Sequence, residues 1–317
     1  MKSVPFLSPQ EIRSRTPYPQ LINALDEIFR SATTAPPREH YEIPQAEGQD
    51  ATMLIMPAWR SPGALGVKVV NVFPDNHRAG LPAVQGVYLL FDSTTGELLA
   101  LADGAELTAR RTAAASALAS RYISRHDTRV MLMVGTGRLS RELIRAHRCV
   151  RDIDQVLVWG RNRGRAQQVV DELREDGFTI EASENLPDAV ARADLISTAT
   201  LSTEPLILGQ WLQPGCHLDL VGAYRPDMRE SDDEVMKRAT AIYVDTRAGA
   251  LAEGGDLIQP LADQVFSRSK IVADLAELTQ GFEINRQPQQ VTVFKSVGAS
   301  VEDLAAAELC LQKNFVS

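Results

Sequence analysis

The sequence is short of the features that mark several classes of protein. Its three cysteines, Cys149, Cys216 and Cys310, lie far apart with no CxxC pair. That excludes a disulfide framework and fits reduced thiols in a cytoplasmic protein. Five histidines, His40, His77, His126, His147 and His217, show no HxxxH or HExxH spacing, so no metal site is expected. No run approaches the roughly 18 apolar residues that a membrane span needs, and the opening MKSVPFLSPQ has no apolar stretch of signal-peptide length. Positive charge is in deficit: 33 Lys and Arg face 41 Asp and Glu, a net −8, which argues against a nucleic-acid partner. Internal repeats are absent. What remains is a chain of 317 residues, 44% hydrophobic and 23% charged, of ordinary globular composition and long enough for two domains.

The apolar pattern changes along the chain. Residues 17–32 carry apolar side chains at 21, 22, 25, 28 and 29, a helical spacing. From about 38 to 102, short apolar runs split by Pro and Gly read as strands: MLIM (53–56), LGVKVVNVF (65–73), GVYLLFD (86–92) and ELLALAD (97–103). Residues 105–124, rich in Ala and Leu, read as a long linking helix. From 128 onward strand-like and helical segments alternate: VMLMVG, VLVW, FTIEA, DLISTAT, CHLDLVG, AIYVD and VTVFKSV, with helical stretches between most of them. That alternation implies an α/β, doubly wound parallel sheet. A last helix over 301–312 is expected to return to the first domain. The expected domains are 1–121 with 298–317, and 122–297.

Residues 134–140, VGTGRLS, follow an apolar strand and open a helix, as a dinucleotide-binding turn does. Gly135 permits the tight turn, Gly137 the close approach of a pyrophosphate, and Ser140 the packing of helix on strand. About twenty residues on, VLVWGRN places Gly160, Arg161 and Asn162 where a carboxylate would hold the ribose 2′-hydroxyl. No Asp or Glu occurs between Asp154 and Asp171. A carboxylate would repel a 2′-phosphate, whereas Arg161 can pair with one, with Arg163 and Arg165 in reserve. NADP(H) is therefore the favoured cofactor, with NAD(H) the alternative.

Two cationic features stand out in the strand-rich half. Lys68 lies inside LGVKVVNVF, where a lysine is either buried for a purpose or snorkels to solvent. Arg110 and Arg111 adjoin in ELTARRTAAAS, about 100° apart on a helix, so at most one faces a given pocket.

The blocks GVKVVNVFPDN (66–76), GLPAVQGVYLLFDSTTGELLALADGAELTARRTAAASALAS (80–120), VGTGRLS, ISTATLSTEPLI (196–207), VGAYRPDMRE (221–230) and SVGASVEDLAAAE (296–308) together resemble the ornithine cyclodeaminase/mu-crystallin family over nearly the whole chain. The resemblance implies a Rossmann domain beside an α+β substrate-binding and dimerisation domain, an active site in the cleft between them, and a homodimer. It implies that Arg38, Lys68 and Arg111 face the substrate with Val297, and that Lys68 and Arg111 are catalytic. To the cofactor contacts read above at Gly135, Gly137, Gly160, Arg161 and Asn162, it adds Arg111, Arg138, Leu139, Thr200, Val221, Gly222, Ala223, Tyr224 and Ser296. The chemistry agrees: a guanidinium holds a carboxylate with two prongs, and a lysine crowded by Arg38 and Arg111 should have a lowered pKa, suiting a proton donor.

The chain departs from the cyclodeaminase pattern at Tyr224, where those enzymes and the archaeal alanine dehydrogenases carry Asp. Tyrosine is a poor base at neutral pH. Mu-crystallin-type ketimine reductases also lack this Asp, lack the acid after the second Rossmann strand, and share an RPDxRE continuation like Arg225–Glu230. Ala83 also stands where the cyclodeaminase has a cofactor-contacting Thr. The expected activity is reduction of a cyclic or open 2-imino acid, such as Δ1-pyrroline-2-carboxylate, by NAD(P)H. Ornithine cyclodeaminase, an alanine dehydrogenase-like enzyme and a non-catalytic NADPH-binding crystallin-like protein are the alternatives. A small amino or imino acid is the expected partner.

Overall fold

The computed structural model describes residues 3–312; residues 1–2 and 313–317, which the expected first domain includes, lie outside the described residues. The chain divides into two compact units, 1–112 with 299–317 and 113–298. Among the described residues no helix is long and apolar enough to cross a membrane.

The first unit opens with strand β1 (Phe6–Leu7) and helices α1 (Pro9–Arg15) and α2 (Tyr18–Arg30). Ser8 caps α1 and exchanges bonds with Glu11, which fixes the helix start. Leu21, Ile22, Leu25, Ile28 and Phe29 of α2 form its buried stripe, as their spacing dictates. There follow β2 (Glu39–Ile43), β3 (Ala51–Trp59), β4 (Ala64–Val72), β5 (Val84–Asp92) and β6 (Leu98–Asp103). These make a six-stranded sheet ordered β1-β6-β5-β4-β3-β2, antiparallel except for the β1–β6 pair. Helix α3 (Gly104–Ile123) begins in this unit, and the division between the units falls within it, ahead of the expected limit at 121.

The second unit carries β7 (Val130–Val134), α4 (Arg138–Arg148), β8 (Gln155–Trp159), α5 (Arg163–Glu175), β9 (Ile180–Ala182), α6 (Leu186–Arg192), β10 (Leu195–Thr198) and β11 (His217–Leu220). It continues through α7 (Asp233–Arg238), β12 (Ala239–Val244), α8 (Arg247–Glu253), α9 (Gly255–Ala262), β13 (Ile271–Asp274), α10 (Leu275–Thr279) and β14 (Val291–Lys295). The eight strands are all parallel, ordered β13-β12-β14-β11-β10-β7-β8-β9. Helices cover both faces, so β10, β11 and β14 are buried throughout and read as continuous rather than alternating runs. The order runs outward from β7 in two directions, which puts the switch point between β7 and β10.

Two of the five histidines are buried inside this unit. His217 Nδ1 sits 2.9 Å from Thr292 Oγ1, and His147 Nε2 sits 3.1 Å from Asp219 Oδ2, which also accepts from Ser197 Oγ at 2.6 Å. Ser197 bonds the carboxylate and not the imidazole, so this is a buried polar bridge and not a nucleophile with its base.

The chain closes with α11 (Ser300–Leu311), which belongs to the first unit and packs against α2, β3 and β4. Its sides are buried almost all round, and yet its first turn contains Glu302 and Asp303, both fully buried. Acids suit a helix N-terminus, but burying two carboxylates requires cationic partners.

Candidate active site

Those partners are Lys68 and Arg111. Lys68 lies mid-strand in β4, opposite Met56 of β3 and Tyr88 of β5, so its strand is internal and its side chain has no edge from which to snorkel. It is 2% exposed. Its Nζ lies 2.9 Å from Asp303 Oδ1, 2.8 Å from Oδ2 and 3.3 Å from Thr108 Oγ1 of α3. Burial lowers its pKa to about 8, with Arg111 and Arg38 pushing the same way and Asp303 opposing them. Arg38, half-buried just ahead of β2, is thereby placed within electrostatic reach of Lys68.

Arg111 is equally enclosed. Its Nε donates to Asp303 Oδ1 at 2.9 Å and its Nη1 to Glu302 Oε2 at 2.6 Å. Burial works against its charge, but Asp303 and Glu302 outweigh it and raise the pKa, so the guanidinium stays cationic. Asp303 thus bridges both cations. The neighbouring Arg110 serves something else: its Nε donates to Thr16 Oγ1 at 2.9 Å, another nitrogen bonds Thr16 O, and the guanidinium stacks on the Tyr18 ring at 4.2 Å. Tyr88 is buried, its hydroxyl has no hydrogen-bond partner among the described residues, and its pKa is raised by burial, then by Asp303 and Glu308.

In the second unit, the sequence-predicted cofactor residues and the substrate-side Val297 fall on the loops and helix starts that follow five neighbouring strands. Gly135–Leu139 follow β7, Gly160–Asn162 follow β8, Thr200 follows β10, Val221–Tyr224 follow β11, and Ser296 and Val297 follow β14. Ligands of open parallel sheets bind at that edge. Gly135 has φ +121°, and a Cβ there would come 2.6 Å from Ala199 O, so no other residue fits. Gly137 begins α4 with no side-chain cap, and nothing lies within 4 Å of where its Cβ would be. Uncapped helix N–H groups beside open space fit a pyrophosphate. Ser140 is buried, its Oγ bonded to Gly137 O at 2.6 Å.

The neighbouring loops refine the sequence expectations. A Cβ at Gly160 would lie 2.6 Å from Thr136 Cγ2, so glycine there admits the glycine turn's own threonine. Asn162 spends its Oδ1 on capping α5, accepting from Arg165 N at 3.0 Å. Arg163 pairs with Glu184, whereas Arg161 and Arg165 are exposed and have no side-chain partner among the described residues.

Three buried carboxylates hold these loops, and none was singled out from sequence. Glu230 accepts from Thr200 N at 2.7 Å, Thr200 Oγ1 at 2.8 Å, Gly222 N at 2.7 Å and Ala223 N at 3.2 Å. A Cβ at Gly222 would lie 2.2 Å from Thr200 O, so the two loops touch backbone to backbone. Asp256 receives Glu230 N, Ser231 N and the buried Lys295 Nζ, at 2.8, 3.0 and 3.1 Å. Burial raises the Glu230 pKa, Asp256 adds to the rise and Lys295 opposes it. Asp245 accepts from Ser296 Oγ, Val297 N and Gly298 N at 3.1, 2.7 and 2.6 Å. The hydroxyls of Thr200 and Ser296 are therefore committed to the protein, which leaves their backbones and methyl or methylene surfaces to present outward. Tyr224 is half-buried. Asp227, three residues on, is exposed and paired with Arg225 at 2.8 Å. Among the described residues no group of three or more His, Cys, Asp or Glu could hold a metal ion.

Known proteins resemble this chain in sequence and fold. Residues 4–315 match the ornithine cyclodeaminase/mu-crystallin family. The Δ1-pyrroline-2-carboxylate reductase of Colwellia psychrerythraea is 36% identical over 97% of this chain and 98% of its own. Ketimine reductase mu-crystallin of Rattus norvegicus is 37% identical over 80% of this chain and 78% of its own. Among solved structures, Thermococcus litoralis Δ1-pyrroline-2-carboxylate reductase in complex with NADH and L-proline superposes with a TM-score of 0.90 at 32% identity, covering 97% of this chain and 96% of that one. The matches run through both units and include the blocks that hold Lys68, Arg111, the glycine turn and Asp303: this chain belongs to the ornithine cyclodeaminase/mu-crystallin family.

Proposed function

We propose that this protein is an NAD(P)H-dependent reductase of cyclic or open 2-imino acids, with Δ1-pyrroline-2-carboxylate as a representative substrate. The observation that carries the reading is Lys68: a buried amine beside Arg111, with a pKa near 8, can release a proton at neutral pH. The relatives named above are reductases of such imines.

In this reading Arg111 and Arg38 hold the substrate carboxylate, Val297 contributes an apolar contact, and Lys68 protonates the imine nitrogen. The nicotinamide, when bound, supplies the hydride. Gly135, Gly137, Arg138 and Leu139 hold the pyrophosphate. Gly160, Arg161 and Asn162 hold the adenosine ribose. Thr200, Val221, Gly222, Ala223, Tyr224 and Ser296 form the wall at the nicotinamide, with Arg111 as a further contact. NADPH is preferred over NADH because Arg161 is uncommitted and no carboxylate stands beside it. Cyclodeaminase chemistry is disfavoured because Tyr224 stands where a base is needed and Asp227 is taken by Arg225.

The protein works as a homodimer in the same proposal. One face of the first unit's sheet is covered by α11; the alternating residues of the other face, Met53, Ile55, Val67, Val69, Leu89 and Phe91, are only partly buried. An apolar sheet face of this kind fits a second copy. A monomer in sedimentation at assay concentrations would remove this part. A reducing, cytoplasmic compartment belongs to the same proposal and is supported by the three free cysteines.

The test is a panel of cyclic imines, and of amines mixed with 2-oxo acids, scored by NADPH and NADH oxidation. Reduction of Δ1-pyrroline-2-carboxylate is expected, faster with NADPH at low cofactor, with little or no proline formed from ornithine and NAD. Robust ornithine-to-proline conversion without imine reduction would overturn the reading.

A further inference from the structure

The acids at the start of α11 have no role in the reading above, and yet one of them touches both substrate-side cations. An ammonium has three N–H bonds. On Lys68 one is directed to the Asp303 carboxylate and one to Thr108 Oγ1, and no third partner exists among the described residues. Asp303 is fully buried and cannot exchange its contacts for water.

We propose that Asp303 is the positioning residue for Lys68: its carboxylate fixes the ammonium so that the third N–H meets the substrate's imine nitrogen, and ties that ammonium to the carboxylate-binding Arg111. The inference rests on the reductase reading. In the step it serves, an N–H bond of the Lys68 ammonium breaks and one forms on the substrate nitrogen. C2 receives hydride from reduced nicotinamide, the C=N double bond becomes a CH–NH single bond, and Lys68, left neutral, regains a proton from solvent.

The groups around Lys68 make the assignment specific. Arg111 and Thr108 face it from α3, Arg38 from the segment before β2, Asp303 from α11, and Tyr88 from β5, while β3 offers only Met56. Asp303 is the one group among these that opposes loss of the proton. Glu302 meets the cluster through Arg111. Because burial holds Lys68 below its ordinary value, its protonated form is lost as pH rises through about 8. Without the Asp303 charge that loss moves to lower pH.

The experiment compares Asp303→Asn, Asp303→Glu and Glu302→Gln in the full-length protein. Rates against pH are measured with Δ1-pyrroline-2-carboxylate. L-proline affinity against pH is measured by calorimetry with NADH present, where no reaction runs. Asp303→Asn is expected to move the alkaline limb of both profiles down by about 1 to 3 pH units. Glu302→Gln should raise KM and leave the limb in place. Asp303→Glu keeps the charge but misplaces it, so the limb should stay while kcat falls at least about tenfold. An unmoved limb in Asp303→Asn, an equal shift in Glu302→Gln, or undiminished kcat in Asp303→Glu would overturn the assignment. If Asp303→Asn gives no cooperative melt, Asp303→Glu decides. A parent protein that reduces no imine would instead refute the reductase reading, whatever the variants do.

Discussion

Replacing Arg111 with lysine keeps the charge and removes the fork, so it separates geometry from electrostatics. The fork makes two charge-assisted bonds, 2.9 Å to Asp303 and 2.6 Å to Glu302, with both carboxylates buried. A lysine can reach one of them. Losing a charge-assisted bond costs about 1.5–3 kcal/mol, so the melting point should fall by the equivalent of that amount. In the proposed substrate contact, a planar carboxylate that two prongs would hold is left with one. The same loss applied to the transition state lowers kcat/KM by about 10- to 150-fold. Steady-state rates with Δ1-pyrroline-2-carboxylate at saturating NADPH, normalised to the folded fraction, measure it. A kcat/KM within about threefold of the parent would place Arg111 outside the substrate site and refute the argument. Arg110→Lys is the companion experiment, although it is not the mild change its neighbouring face suggests. Arg110 is buried against Thr16 and Tyr18, so that variant should lose stability and leave kcat/KM of the folded protein unchanged.

Two further outcomes are expected. Arg161→Ala should weaken NADPH binding in fluorescence titration by about tenfold and NADH binding by less than about twofold, because in the proposed reading only the 2′-phosphate would use the guanidinium; equal losses would show that Arg161 does not read it. The second concerns His217, whose pKa burial lowers to about 3. The folded protein keeps this imidazole neutral while the unfolded chain protonates it near pH 6.5. Its contribution is therefore intact above that pH and is lost as pH falls, by about 1.4 kcal/mol per unit until pH 3. Urea melts at pH 7 and 4.5 should differ by about 2–3 kcal/mol more in the parent than in His217→Gln, and identical differences would exclude His217 as the source.

Much of the second unit was legible in sequence because its signals are local. A glycine turn between an apolar strand and a helix, and an acid missing some twenty residues on, can be read within one βαβ unit. The edge strand β2 gave no such signal, since EHYEI is largely exposed on both faces and has no buried stripe to reveal its period. The site's supporting acids were illegible for a different reason. Glu302 and Asp303 sit in a block that marks the family, but their partner is Arg111, 191 and 192 positions away, and nothing local distinguishes them from a solvated first turn. Glu230 is hidden likewise: its four donors come from loops 30 and 7–8 residues distant. The adjacent arginines show the limit most plainly. Helical geometry says that Arg110 and Arg111 diverge, but only the packing of α11 and of Thr16 says which one meets the acids.

The split course of the first unit also orders events during translation. Lys68 and Arg111 emerge from the ribosome before any of the second unit, and Glu302 and Asp303 emerge after all of it. A chain interrupted before residue 300 has all eight parallel strands of the second unit and can fold that unit. Closing the first unit at that stage would bury the Arg111 guanidinium with no counter-charge, at several kcal/mol, and leave Lys68 without its carboxylate partner. The cation pair is therefore sealed only after Glu302 and Asp303 have emerged, and products truncated before residue 300 should show a protease-resistant second unit and a protease-sensitive first one.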